Sequence, residues 1–183
     1  ARSAAARSRQ TSSAASRPKR TSMFRLIDSP LGPLRLQASP RGLSRVEITA
    51  ARAPQEAAVS VDEGGAGKHS ANVLDAAQAQ IAEYFAGRRR AFELPLDPPE
   101  TTAFRTAVHA QLAEIDYGET VTYRDVAKML GQPGATRAVG SACGTNPLLI
   151  VRPCHRVLRS DGGLGDYAGG LDAKRFLLTL EEN

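Results

Sequence analysis

The sequence predicts an α/β (α+β) protein, an antiparallel three-stranded sheet with a helix followed by a helical part built around a helix-turn-helix. Three observations carry this. Residues 24–48 alternate apolar and polar side chains between turn signals. Residues 71–85 and 104–115 carry apolar side chains at helical spacing. Gly131-Gln132-Pro133-Gly134 then breaks a helical pattern that resumes immediately.

Ordered sequence is expected from Met23. Residues 24–27 read as a strand, Ser29-Pro30-Leu31-Gly32-Pro33 as a turn, 34–38 as a second strand and 43–48 as a third, which makes a meander. Residues 50–70 are rich in Ala, Gly and charge and read as a loop. A helix over 71–85 places Val73, Leu74, Ala77, Ile81 and Phe85 on one face, and Gly87 ends it. The stiff segment Leu94-Pro95-Leu96-Asp97-Pro98-Pro99 marks a boundary. The expected organisation is therefore a basic tail over 1–22, an α/β domain over 23–98 and a helical domain over 99–183.

Phe104, Val108, Leu112 and Ile115 define the next helix. Thr122 is suited to cap the one after it, with Asp125 at the third position and 123–130 forming the turns. Residues 135–144 form a second short helix, giving helix-turn-helix geometry. An ordinary αα-hairpin would produce the same spacing. The second helix is unusual in composition: Ala135, Ala138, Gly140, Ser141, Ala142 and Gly144 are small, and Arg137 is its one long side chain. A helix that reads the major groove would offer several long polar side chains. Small residues instead let a backbone approach either DNA or a neighbouring helix.

Bulk properties narrow the class. The 183 residues suffice for one compact domain or two small ones. No apolar run is long enough to span a membrane, and the first twenty residues hold no apolar signal core. Two cysteines, Cys143 and Cys154, are not a secreted disulfide framework, so a reducing compartment is expected. The net charge of +5 is misleading. Arg2, Arg7, Arg9, Arg17, Lys19 and Arg20 supply six positive charges within residues 1–22, which contain no acid, so 23–183 carries about −1. The tail has little to bury and reads as disordered. It either adds sequence-independent attraction to phosphate or is a leader or cloning remnant.

The chemistry concentrates after Asn146-Pro147 and a strand-like run over 148–152. Pro153-Cys154-His155-Arg156-Val157 follows. Proline fixes the backbone before the thiol, and a thiol acts as a nucleophile only as thiolate, which requires a base or cation nearby. Neighbours on a strand point to opposite faces, so a bridging water is the expected link between Cys154 and His155. By itself Cys154 would read as a buried structural thiol. The tetrapeptide Pro-Cys-His-Arg is rare by chance, and here it follows a helix-turn-helix and precedes Gly162-Gly163, Tyr167-Ala168-Gly169-Gly170-Leu171, Lys174, Leu177-Leu178 and Glu181.

This arrangement resembles the O6-alkylguanine-DNA alkyltransferases, also called methylated-DNA–protein-cysteine methyltransferases, from about Met23 onward and most specifically between Gly118 and Glu181. The resemblance implies a ribonuclease-H-like N-terminal sheet and a winged-helix-like C-terminal part. It implies direct DNA repair: one-time transfer of an alkyl group from O6-alkylguanine, and more weakly O4-alkylthymine, to Cys154. His155 would deprotonate the thiol through a water and Glu181 would orient His155. Asn146 would tie the helix-turn-helix to the strand bearing the cysteine. Tyr123 would bond the guanine ring, the carbonyls of Cys154 and Val157 would take its exocyclic amine, and the N–H of Ala168, beside Tyr167, would face O6. Arg137 would fill the space of an extruded nucleotide, with Thr136, Ala138, Gly140 and Ser141 against the minor groove. The partner implied is double-stranded DNA bound by a monomer with no membrane association. No cofactor and no metal is implied, and the site of action would be the cytoplasm, or the nucleus of a eukaryote.

Some positions depart from the family pattern. His109 stands where a tryptophan is usual and is expected at the surface or as a satisfied core residue. Arg152 replaces an aliphatic residue and is expected to be an exposed strand end, the alternative being a side chain that touches phosphate or lowers the thiol pKa. Ala168 stands where some members have a small polar residue, Cys143 reads as packing, and His69 has no metal-binding partners. The rival readings are a lesion-flagging relative, which lacks the acceptor cysteine; a helix-turn-helix regulator, which the small second helix disfavours; and a Cys–His hydrolase, which would turn over.

Overall fold

The computed structural model describes residues 22–49 and 65–182. The first three strands, β1 (Met23–Ile27), β2 (Leu34–Ser39) and β3 (Gly42–Ile48), form an antiparallel sheet in the order β1-β2-β3. Period-two alternation sets its faces. Leu34, Leu36 and Ala38 are fully buried, while Arg35 and Gln37 between them point outward and are half-buried. Helix α1 (Gly65–Phe85) covers the inner face with Val73, Leu74, Ala77, Ile81 and Tyr84.

α1 begins at Gly65, so residues 65–70 belong to the helix and not to the loop expected over 50–70. Once packing anchors the turns after Val73, each added residue closes a backbone bond at little cost, and weak helix formers are recruited. The expected loop over 50–64 and the tail over 1–21 lie outside the described residues. The segment around Pro95 is pinned to the sheet: Leu43 N–H donates to Pro95 O at 2.7 Å and Asp97 N–H to Leu43 O at 2.9 Å.

Beyond it come α2 (Ala103–Ala113), β4 (Val121–Thr122), α3 (Tyr123–Met129) and α4 (Thr136–Gly144). Thr122 caps α3 as expected: its hydroxyl accepts from Asp125 N, and the Asp125 carboxylate takes the Thr122 N–H. α3 and α4 are the two helices of the helix-turn-helix. β5 (Val157–Leu158) pairs in parallel with β4, and α5 (Leu171–Glu181) closes the fold. The buried side chains of both parts form one continuous core. Among the described residues no helix is long and apolar enough to cross a membrane.

The strand expected over 148–152 is not formed. One rung ties the start of this run to β3, with Val46 N–H donating to Pro147 O at 2.8 Å and Leu149 N–H to Val46 O at 3.2 Å. The chain then turns: Val151 N–H donates to Leu149 O and Arg152 N–H to Leu148 O, both at 2.8 Å. Ile150 sits at φ 71°, a left-handed conformation that costs a β-branched residue about 1–3 kcal/mol. Leu148, Leu149 and Ile150 are buried, and burial on all sides gives the same apolar run whether the backbone is a strand or a tight turn.

Candidate active site

The turn after Ile150 delivers Pro153 and then a single 3₁₀ turn, Cys154–Arg156, at the centre of the molecule. The turn lets adjacent side chains do what a strand would forbid. Cys154 faces Asn146, while His155 and Arg156 both reach Glu181 on the last turn of α5. Asn146 follows α4 and its amide Nδ2 donates to Cys154 Sγ at 3.2 Å and to Arg152 O at 2.9 Å; its Oδ1 accepts from Leu148 N–H at 3.1 Å.

His155 is fully buried, and its Nε2 lies 2.9 Å from Glu181 Oε1. With Nε2 carrying the proton, as a carboxylate partner requires, Nδ1 is left as an acceptor. Nδ1 is one of two buried side-chain polar atoms with no partner among the described residues, the other being the Tyr167 hydroxyl. The Tyr167 ring stands edge-on to the imidazole at 6.3 Å.

Glu181 is saturated with donors. Oε1 accepts from Tyr84 Oη at 2.5 Å, from His155 Nε2 and from Arg156 Nη2 at 2.9 Å; Oε2 accepts from Arg156 Nε at 2.7 Å and Gly118 N–H at 3.3 Å. Burial works to raise its carboxyl, and the bonds from His155, Arg156 and Tyr84 outweigh it and hold the group well below the usual carboxylate range. Burial lowers the His155 imidazole despite the opposing pull of Glu181, so the ring rests neutral. Burial pushes the Cys154 thiol up to about 11, against the Asn146 bond and the Lys174 charge, which lower it. The resting pair is therefore a neutral thiol beside a neutral base.

Tyr123 opens α3, and its hydroxyl donates to Asp166 O at 3.2 Å. Gly165 lies against this ring at φ 67°: a Cβ there would come within 2.8 Å of the Tyr123 hydroxyl, so the close approach requires glycine. Burial pushes the Tyr123 phenol up to about 12, keeping it a hydrogen-bond donor. The Val157 carbonyl accepts from Lys174 Nζ at 2.7 Å, and the Cys154 carbonyl from Val157 N–H. Ala168 is exposed and lines a cleft of about 580 Å³ together with Gly144, Thr145 and Asn146 on one side and Arg35, Arg45 and Glu47 on the other.

On α4, Arg137, Ala138 and Ser141 are exposed, Thr136 and Gly140 half-buried, and Val139, Ala142 and Cys143 face the core. The structure thus gathers Cys154, His155, Glu181, Asn146 and Tyr167 in one buried cluster with Tyr123 at its edge. Arg137 and its neighbours lie on the outer face of α4. Cys143 is buried, and burial pushes its thiol up to about 12. His109 is a core residue whose Nε2 lies 3.0 Å from Ala142 O. Arg152 is half-buried and not the exposed strand end expected, because the chain turns there. His69 lies in α1, and among the described residues no group of His, Cys, Asp and Glu is arranged to hold a metal ion.

Three residues of the cluster escaped the sequence reading. Arg156 stood inside the Pro-Cys-His-Arg motif without an assigned role. Lys174 and Glu181 flank Leu177 at i, i+3 and i+7 on the buried face of α5, a helical stripe whose two charged members were the available signal. Lys174 is fully buried, its Nζ held by Val157 O and Leu164 O. Tyr84 falls on the apolar stripe of α1, where nothing separates a catalytic neighbour from a core aromatic.

Comparison with known proteins agrees with this geometry. Residues 23–98 match the family model for the 6-O-methylguanine DNA methyltransferase ribonuclease-like domain, and 103–183 match that for its DNA binding domain. The methylated-DNA–protein-cysteine methyltransferase of Methanosarcina barkeri is 41% identical over 160 residues, covering 87% of this chain and 97% of its own. The Mycobacterium bovis protein of the same name is 38% identical over 161 residues, covering 87% and 92%. The crystal structure of Mycobacterium tuberculosis OGT in complex with DNA superposes with a TM-score of 0.73 at 36% identity, covering 87% of this chain and 92% of that one. The chain belongs to the 6-O-methylguanine DNA methyltransferase family.

Proposed function

We propose that Cys154 is the acceptor in a one-time transfer that removes the alkyl group from O6-alkylguanine in double-stranded DNA, and more weakly from O4-alkylthymine. The observation that carries this is the buried thiol held by Asn146 beside a neutral imidazole whose Nδ1 has no partner among the described residues. A water between Nδ1 and Sγ passes the thiol proton to His155, and Glu181 Oε1 stabilises the imidazolium that results. The thiolate attacks the alkyl carbon in line. The S–C bond forms as the C–O6 bond breaks, and its electron pair leaves on guanine. Tyr123 supplies the proton that neutralises the base and recovers it from the imidazolium. The sum is thioether and repaired guanine, with no cofactor. The alkyl C–S bond of the thioether is inert to attack by water, so the thiol is not regenerated and the protein is consumed.

The target atom lies inside the base stack, so the nucleotide must be extruded at a cost of about a few kcal/mol. Arg137, exposed on α4, would occupy the vacated space, and the short side chains of Thr136, Ala138, Gly140 and Ser141 would let the helix backbone approach the minor groove. In the pocket, the second lone pairs of the Cys154 and Val157 carbonyls accept the exocyclic amine, and the Ala168 N–H faces O6. We assign 23–98 to a supporting α/β domain and 99–183 to the DNA-binding, alkyl-accepting domain. We place the reaction in the cytoplasm, or the nucleus where there is one, where thiols stay reduced. A shared carboxylate and imidazole would also serve a hydrolase, and the stoichiometry separates the two.

The test is intact-mass measurement after mixing the protein with a duplex oligonucleotide containing O6-methylguanine. One methyl group per chain, mapped to Cys154 and absent from Cys154→Ser, is expected. Repeated turnover, or a lesion left intact, would falsify the assignment.

A further inference from the structure

α1 ends by burying Tyr84 completely, with its ring against Phe92 and Tyr117 at centroid distances of 5.5 and 6.1 Å. Filling that space requires a ring, not a hydroxyl. Yet the hydroxyl donates to Glu181 Oε1 at 2.5 Å, the length of a charge-assisted O–H···O⁻ bond, across a sequence separation of 97 residues. The oxygen it reaches is the one that takes His155 Nε2.

We propose that Tyr84, from the ribonuclease-like part of the chain, is a positioning residue for alkyl transfer: its hydroxyl occupies Glu181 Oε1 and so sets how strongly His155 takes the thiol proton. The inference rests on the roles proposed above for His155 and Glu181. A carboxylate oxygen stabilises an imidazolium through the negative charge it presents, and each further donor on that oxygen withdraws some of it. Arg156 is the other such donor, but its bidentate grip on both oxygens also fixes the carboxylate in place. Removing the Tyr84 hydroxyl should therefore change the charge presented to His155 without releasing Glu181. Burial and the adjacent Glu181 charge both raise the Tyr84 phenol, so it stays protonated and donates at every working pH.

The other groups facing the pair are in place to remain unchanged. They are Tyr117 and the Gly118 N–H from the loop before β4, Cys154 and Arg156 from the 3₁₀ turn, Tyr167 edge-on to the imidazole, and Lys174 on α5. The cationic Arg156 and Lys174 lower His155, and Glu181 opposes them. Without the Tyr84 bond the Glu181 contribution grows, the imidazolium is favoured, and the neutral base survives only at higher pH.

The experiment uses the full chain carrying Tyr84→Phe. It follows the rate of methyl uptake from an O6-methylguanine duplex against pH, and the His155 ring nitrogens by ¹⁵N NMR over the same range. The acidic limb of the rate profile and the His155 midpoint should both move up by about 0.5–1 pH unit. Placing 3-fluorotyrosine at position 84 keeps the shape, strengthens the donor and should move both down. Superimposable profiles and an unmoved His155 midpoint in either variant overturn the proposal; the fluorotyrosine protein carries the test if Tyr84→Phe does not fold. Should the wild-type chain accept no methyl group, the acceptor assignment fails, while the His155 titration still reads the Tyr84 linkage.

Discussion

One amide, Asn146 Nδ2, holds both Cys154 Sγ at 3.2 Å and Arg152 O at 2.9 Å, so the group that orients the nucleophile also closes the turn on which it stands. Its Oδ1 takes Leu148 N–H, and these bonds brace the segment containing the strained Ile150. Asn146 follows α4 after Thr145, so its bond to Sγ ties the end of the helix proposed to meet DNA to the proposed acceptor thiol.

Asn146→Ala should therefore lower stability and rate together. The orphaned Leu148 N–H costs about 1–3 kcal/mol before any relaxation, while Arg152 O keeps the Cys154 N–H at 2.8 Å. The thiol also loses a bond that favours its thiolate. Asn146→Asp keeps the shape and places a carboxylate against the sulfur, so single-turnover methyl transfer should slow at least as much while the melting temperature falls less. Equal rates for Asp and wild type would contradict the role given to the amide N–H.

Arg137 is exposed on α4 and belongs to no part of the buried cluster. Its proposed role ends once the base is in the pocket. Arg137→Ala should slow repair of duplex DNA by about 10²-fold or more, in line with the few kcal/mol needed for extrusion. It should barely change reaction with the free modified base. Equal losses on the two substrates, measured as second-order rate constants, would refute an extrusion role.

Lys174 combines full burial with an ammonium held by carbonyl oxygens of Val157 and Leu164. Burial lowers its pKa, and the charges of ionised Cys154 and Cys143 would raise it, so the ammonium and the Cys154 thiolate support one another. Lys174→Met preserves the length of the side chain and deletes the charge. The Cys154 thiol should then ionise at higher pH, and both methyl uptake and alkylation by iodoacetamide should slow by roughly 10-fold near neutral pH. Slowed methyl uptake with unaltered iodoacetamide reactivity would place Lys174 with the DNA or the loop, not with the thiol.

The sheet, the helix stripes and the Thr122–Asp125 cap could be read from the sequence because each rests on local periodicity or local chemistry. The run from Leu148 to Arg152 could not. Its hydrophobicity reports burial, and the turn is imposed by Asn146 and by a rung to β3, contacts made only in the folded chain. Cys154, His155 and Glu181 were available from a motif and a family resemblance, not from spacing. Tyr84 had no sequence signal, since its partner lies 97 residues away.

The last prediction concerns acid. His155 and His109 are buried and held neutral, with pKa values lowered mainly by burial. In the unfolded chain each protonates near 6.5. Above that pH both states are neutral and nothing is lost. As pH falls below it, the unfolded chain binds protons that the native chain refuses, so stability declines. Glu181 has the sign usual for a carboxylate with a depressed pKa: its contribution is present above about 4.3 and is lost as pH falls further. Melting temperature should therefore be level between about pH 7 and 8, decline between roughly 6.5 and 5, and fall more steeply below about 4.3. Above about 8.5 it declines again, because the unfolded thiols ionise while buried Cys143 and Cys154 hold their protons. His109→Gln lets a neutral amide stand near Ala142 O and removes one of the two histidines, so it should flatten the middle stretch without altering the steep one. A melting temperature that stays constant from pH 7.5 to 5 in the wild-type protein would show that His155 and His109 take up protons in the native state as readily as in the unfolded one.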